Sequence, residues 1–195
     1  ATLSGAFAAE ITPVTVRTRA GETVISIDEG PGKVKLDKIA SLKPAFKKDG
    51  TITAASSSSI NDGAAAMVMM RARPLARIVA HAVHAQEPNW FATAPVGAVQ
   101  KLLAKANWSV KDVDLWEVNE AFAVVPMALM RELGLSHDIV NVNGGACALG
   151  HPIGASGARI MVTLIHALKA RDLKRGVATL CIGGGEATAV AIELL

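Results

Sequence analysis

Apolar and polar positions alternate along residues 14–18 and again along 23–27, on either side of a turn containing Ala20 and Gly21. With β-branched Val14, Val16, Val24, Ile25 and Ile27 in the pattern, the stretch predicts a β-hairpin. Leu36, Ile39 and Leu42 then mark a short helix that Pro44 stops. Residues 51–54 read as a strand, residues 56–59 as a serine loop, and the continuous apolar run 63–70 as a buried strand. A further strand is expected over 75–83. Val96, Val99, Leu102 and Leu103 line one side of an amphipathic helix over 95–106.

The second half alternates more regularly. Strands are expected at 115–118, 139–142, 177–182 and 187–194, with helices at 121–133, closed by Gly134, and at 154–170. Such alternation predicts an α/β protein with a mixed sheet and covering helices. In the 154–170 helix, Ile160, Met161, Val162, Leu164 and Ile165 leave almost no polar face, so a partner layer outside this sheet is implied. Residues 1–50, richer in charge, read as a loop or appendage carrying the hairpin. Residues 51–80 read as the last strands of a preceding core, and 81–195 as the catalytic domain.

Composition narrows the class. The 195 residues are 51% hydrophobic, with 17 Gly and no Tyr, which suits a densely packed α/β protein and not a disordered chain. A net charge of +3, with both signs interspersed, argues against a nucleic-acid partner. No apolar run approaches the roughly 20 residues of a membrane span, and the first residues lack a signal-peptide core. Two distant cysteines suggest a reducing compartment, so a cytoplasmic protein is expected.

Three glycine-punctuated segments carry the chemistry: residues 119–122 (NEAF), residues 143–157 (NGGACALGHPIGASG) and residues 181–185 (CIGGG). Glycines at 150 and 154 let backbone approach a ligand at His151, and Pro152 suits a helix start, placing the imidazole near a helix N-terminus. Cys181 ends an apolar strand before a triple-glycine turn, a setting for proton transfer or nucleophilic work, and amides near Gly183 could stabilise an oxyanion. Asn119, between strand and helix, is either an N-cap or an amide that orients a water or a carbonyl. Cys147, four residues before His151, has no second ligand pair and is read as packing, so no metal is expected. His81, His84 and His137 are read as structural.

In order and spacing these segments resemble the thiolase family, together with Ser58 and the Ile60-Asn61-Asp62-Gly63-Ala64-Ala65-Ala66 stretch, over about the second half of a family member. The resemblance implies a thiolase-like mixed sheet, one half of a five-layer αβαβα architecture. It also implies an acyl-CoA C-acetyltransferase catalysing reversible Claisen condensation of acetyl-CoA, or thiolysis of 3-ketoacyl-CoA, in fatty acid metabolism. His151 would activate a nucleophile and help bind the thioester oxygen, Cys181 would be the acid/base, and Asn119 would fix a water. The Gly183 N–H would serve a second oxyanion site.

By the same resemblance Ser58 contacts pantetheine, with Phe46, Ala54, Phe91 and Phe122 lining the slot. Coenzyme A thioesters are substrates, with no permanently bound cofactor. The nucleophilic cysteine would come from a missing amino-terminal half, so this chain alone is expected to be inactive, and a homo-oligomer (dimer or tetramer) is expected. Phe91 stands where short-chain members often carry Met, Ser56 replaces a usual Asn, and the stretch between Met70 and Pro74 is short. Alternatives are a non-catalytic coenzyme A-binding or assembly subunit, and a ketoacyl-synthase-like condensing enzyme. The latter usually carries a second His where Asn119 stands.

Overall fold

A computed structural model describes residues 1–195. The first elements are the hairpin strands β1 (Val14–Thr18) and β2 (Gly21–Ile25), antiparallel and solvent-exposed throughout. Their register pairs Val14 with Ile25 across the turn at Arg19 and Ala20. A 3-10 turn follows over Leu36–Ser41, ahead of Pro44.

The core is a four-stranded sheet of β3 (Ala76–Ala85), β4 (Leu115–Val118), β5 (Arg175–Cys181) and β6 (Glu186–Leu194), in the order β3-β6-β5-β4. β4 and β5 are parallel, and the other pairs are antiparallel. β3 runs unbroken across position 80, with one irregularity between Ile78 and Ala80. One face is covered by α1 (Ala94–Ala106) and α2 (Val124–Leu133), the other by α4 (Ser156–Ala170); the single turn α3 (Ala146–Leu149) lies in the loop before α4. Three layers result.

Side-chain size sets the spacing of these layers. Ala187, Ala189 and Ala191 alternate along one face of β6, where Ala94, Ala98, Val99 and Leu102 of α1 join them in the larger core. On the other face Leu115, Ala178 and Ile192 pack with Ile160, Met161, Leu164, Ala167 and Leu168. A Cβ at Gly176 would stand 2.8 Å from a Leu164 methyl, so β5 and α4 pack closely enough there that a larger residue would have to displace the Leu164 side chain. Asn107 and Gly134 close α1 and α2 in the left-handed conformation.

Several expected elements are absent or displaced. Residues 63–70 form no strand, and Val68 is 86% exposed, because nothing in this chain runs alongside to pair with them. Residues 51–54 give way to a 3-10 turn at Ala54–Ser56, where the Ser56 and Ser57 hydroxyls engage the Thr53 backbone in competition with a ladder. Residues 139–142 make a single bridge, Val140 to Trp116, since Asn141 turns left-handed. α2 starts three residues late because 121–123 hydrogen-bond to 56–58. α4 is not apolar all round: Thr163 donates to Glu10 at 2.8 Å, and part of the implied covering comes from the turns of residues 1–11, where Phe7 is buried.

Leu164 is fully buried between α4 and the sheet. Leu164→Ala is expected to cost about 2–5 kcal/mol, read as a lower urea midpoint at unchanged slope.

Candidate active site

β4 and β5 run parallel and end at the same edge of the sheet, which is where α/β folds gather functional groups. Asn119 follows β4 directly, and its backbone N–H donates to Thr179 O at 3.0 Å, extending the ladder by one residue. Cys181 ends β5 next door. The turn after it closes through Ile182 N–H to Glu186 O (2.8 Å) and Gly185 N–H to Ile182 O (3.1 Å), while Gly183 lies exposed at its tip.

The loop before α4 brings His151 to Asn119. Asn119 Nδ2 lies 3.3 Å from His151 Nε2, and His151 Nδ1 lies 2.5 Å from Ser156 Oγ. Ser156 Oγ also donates to Pro152 O at 3.1 Å, so it accepts from Nδ1–H. This network assigns the proton to Nδ1 and leaves the Nε2 lone pair facing the Asn119 amide. Burial, and then the charge of Arg159, hold the imidazole below its usual titration range. Burial pushes the Cys181 thiol up, so it keeps its proton at neutral pH. Asn119 is fully buried, yet its Oδ1 has no partner within the chain.

One extended stretch fixes both loops. Ser58 N–H and Oγ both donate to Ala121 O (3.1 and 3.0 Å), and Ala123 N–H donates to Ser56 O at 2.9 Å. On the other side His151 N–H donates to Ser59 O at 2.8 Å. Of the expected slot residues, Phe122 packs edge-on against Phe46 (5.9 Å between centroids) and against Phe91 (6.1 Å). Ala54 is exposed at the start of its 3-10 turn. Two clefts of about 380 and 330 Å³ open beside the site. Pro152, Gly154, Asn61 and Gly63 are among the residues lining the first, and Lys33, Ser59 and Cys147 the second; neither includes His151 or Cys181.

Sequence reasoning passed over three positioning groups. Asn141 accepts from Val118 N–H (2.7 Å) and donates to Val118 O (2.8 Å) and to Glu120 Oε1 (2.8 Å). Glu120 Oε2 accepts the Cys147 N–H at 3.0 Å, and a Cβ on Gly145 would collide with that carboxylate. Ser156 is the third. Glu120 and Ser156 stood only as polar letters inside the marked segments, and Asn141 inside a stretch expected as a strand. Cys147, its thiol pushed up to about 12 by burial and by Glu120, is inert packing. No group of three His, Cys, Asp or Glu side chains is arranged to hold a metal, and no helix is long and apolar enough to cross a membrane.

Comparison with known proteins matches residues 72–194 to the family model of the thiolase C-terminal domain and residues 1–73 to that of the thiolase N-terminal domain. The chain is 51% identical over 201 residues to an acetyl-CoA acetyltransferase of Escherichia coli (98% of this chain, 51% of that protein). It is 48% identical over 201 residues to the cytosolic acetyl-CoA acetyltransferase of Mus musculus (97% and 51%). Among solved structures it superposes on the Bacillus anthracis acetyl-CoA acetyltransferase with a TM-score of 0.95 at 46% identity (99% and 51% covered). On human mitochondrial 3-ketoacyl-CoA thiolase the TM-score is 0.87 at 38% identity (98% and 51%). The chain spans about half the length of the curated relatives it matches.

Two outcomes follow from this geometry. Asn141→Ala strands the Val118 N–H and carbonyl and should cost about 1–3 kcal/mol in urea unfolding. The unfolded imidazole titrates near about 6.5 and the folded one lower, so as pH falls through that interval the unfolded chain takes the proton first and stability declines. His151→Gln should remove that part of the acid-side decline, checked by urea midpoints across the same interval.

Proposed function

The chain belongs to the thiolase family, and on that premise we propose that it is the second half of an acyl-CoA C-acetyltransferase. The reaction is reversible thioester Claisen condensation of acetyl-CoA, or thiolysis of a 3-ketoacyl-CoA. The observation that carries this reading is the Asn119–His151 contact at the sheet edge where β5 delivers Cys181.

His151, neutral with an unprotonated Nε2, takes the proton of a nucleophilic cysteine supplied by the amino-terminal half. That thiolate attacks the acyl-CoA, the acyl group moves to sulfur, and coenzyme A leaves as a thiol. Asn119 Oδ1, buried and unpartnered, holds a water that with His151 steadies the first oxyanion. Cys181 exchanges a proton with the α-carbon of the second thioester. Its thiol suits returning a proton in thiolysis, and it becomes the base for condensation once it has given its proton to departing coenzyme A.

The exposed Gly183 N–H serves a second oxyanion site together with the amide of that nucleophilic cysteine. Each such donor is worth about 2.7–4 kcal/mol of barrier. Phe46, Phe91 and Phe122, with Ser58 and Ala54, form the pantetheine slot. No permanently bound cofactor takes part; the coenzyme A handle is part of the substrate. Residues 1–50 serve as the loop region, 51–80 close the first-half core, and 81–195 supply the acid/base machinery of a five-layer whole. A cytoplasmic dimer or tetramer is the assembly proposed.

In the complete enzyme, Cys181→Ser should slow α-proton exchange of acetyl-CoA in deuterated water by about 10²-fold or more, and far more than it slows acyl transfer to the nucleophile. Exchange at the wild-type rate would refute this role. This chain by itself should show no turnover in the same assay.

A further inference from the structure

We propose that Gln86 is a positioning residue: it ties the bend carrying Phe91 to the turn after Cys181 and so fixes one wall of the substrate slot. The proposal rests on the reading of Phe91 as part of that slot. Gln86 directly follows β3, and its backbone N–H donates to Gly185 O at 3.0 Å. Gly185 has φ +98°, and a Cβ there would collide with Gln86 O and stand 3.1 Å from Pro88. The residues after β3 therefore lie against the glycine turn whose tip is Gly183.

The side chain of Gln86 reaches the other way. Its Nε2 donates to Trp90 O at 2.5 Å and to Thr93 Oγ1 at 2.8 Å, while Thr93 Oγ1 donates to Trp90 O at 3.0 Å. These bonds fall on the 3-10 bend Pro88–Thr93, inside which Trp90 leaves helical geometry (φ −104°, ψ 15°). Phe91 sits between the two pinned residues, and its ring meets Phe122 edge-on at 6.1 Å between centroids. A kinked 3-10 segment has weak bonding of its own, so the two side-chain donors on the Trp90 carbonyl set its course.

The amide has one orientation. A carbonyl only accepts, so the nitrogen faces Trp90 O, and Oε1 faces His84, whose Nε2 lies 3.2 Å away and donates. The His84 ring in turn rests on Gly97 of α1, where a Cβ would stand 2.6 Å from the ring carbon Cδ2. Both N–H groups and the oxygen of this half-buried amide are thus engaged inside the chain. A glutamine kept only for solubility would turn its amide to water instead. β3, the bend before α1 and the turn after β5 all meet at this one residue.

The test uses the complete protein, this chain joined to its amino-terminal half, carrying 4-fluorophenylalanine, with the Phe91 line assigned by its loss in Phe91→Ala. Gln86→Leu keeps the bulk and removes the amide; Thr93→Val, which removes one of its partners, takes its place if that variant does not fold. The expected result is a displaced Phe91 ¹⁹F line beside an unmoved Phe7 line, and a KM for acetyl-CoA raised about tenfold at nearly unchanged kcat. In a Phe91→Ala background the same substitution should leave KM where it stands. A Phe91 line that stays in place, or a KM effect equally large without the Phe91 ring, would overturn the proposal. A displaced line with unchanged KM would uphold the action of Gln86 on Phe91 and refute Phe91 as a wall of the slot. The ¹⁹F line decides the role of Gln86 even if the wild type shows no turnover, an outcome that would refute the acetyltransferase reading alone.

Discussion

Residues 56–60 thread between two loops, one after β4 and one before α4, and backbone hydrogen bonds tie them to both. Ala121 and Ala123 are held on one side, His151 on the other. Because the bonds run through backbone groups, this brace depends little on which serine stands where. It explains why α2 cannot begin before Val124, and why His151 meets Asn119 across 32 residues of sequence. The bracing stretch lies in the part matched to the thiolase N-terminal domain, while both loops lie in the part matched to the C-terminal domain. The working geometry therefore belongs to the junction of the two.

One physical cause prepares two groups for different tasks. Burial disfavours charge, so it lowers the imidazole of His151 and raises the thiol of Cys181. Both are neutral near pH 7. The imidazole keeps a lone pair on Nε2 and the thiol keeps its proton, while burial makes charging either group harder.

Much of the fold was readable from periodicity. α1, β4, α4 and the β5–β6 pair lie within a few residues of their expected limits, because each buries apolar side chains inside this chain; the hairpin does too, held by its turn and ladder although its strands stay exposed. The run 63–70 misled because its pattern asks for a neighbour that the chain lacks. The 139–142 stretch misled because one side chain, Asn141, replaces a strand ladder. At the site, His151 and Cys181 were marked by their glycine-rich surroundings and Asn119 by its place between strand and helix. The roles of Glu120, Asn141 and Ser156 were not legible, since they are pairings that appear only in the folded chain.

The orientation of His151 is the hinge of this account, and ¹⁵N NMR of the imidazole nitrogens at neutral pH reads it directly. The account predicts a neutral ring protonated at Nδ1 with Nε2 bare. A ring carrying its proton on Nε2, or on both nitrogens, would contradict it.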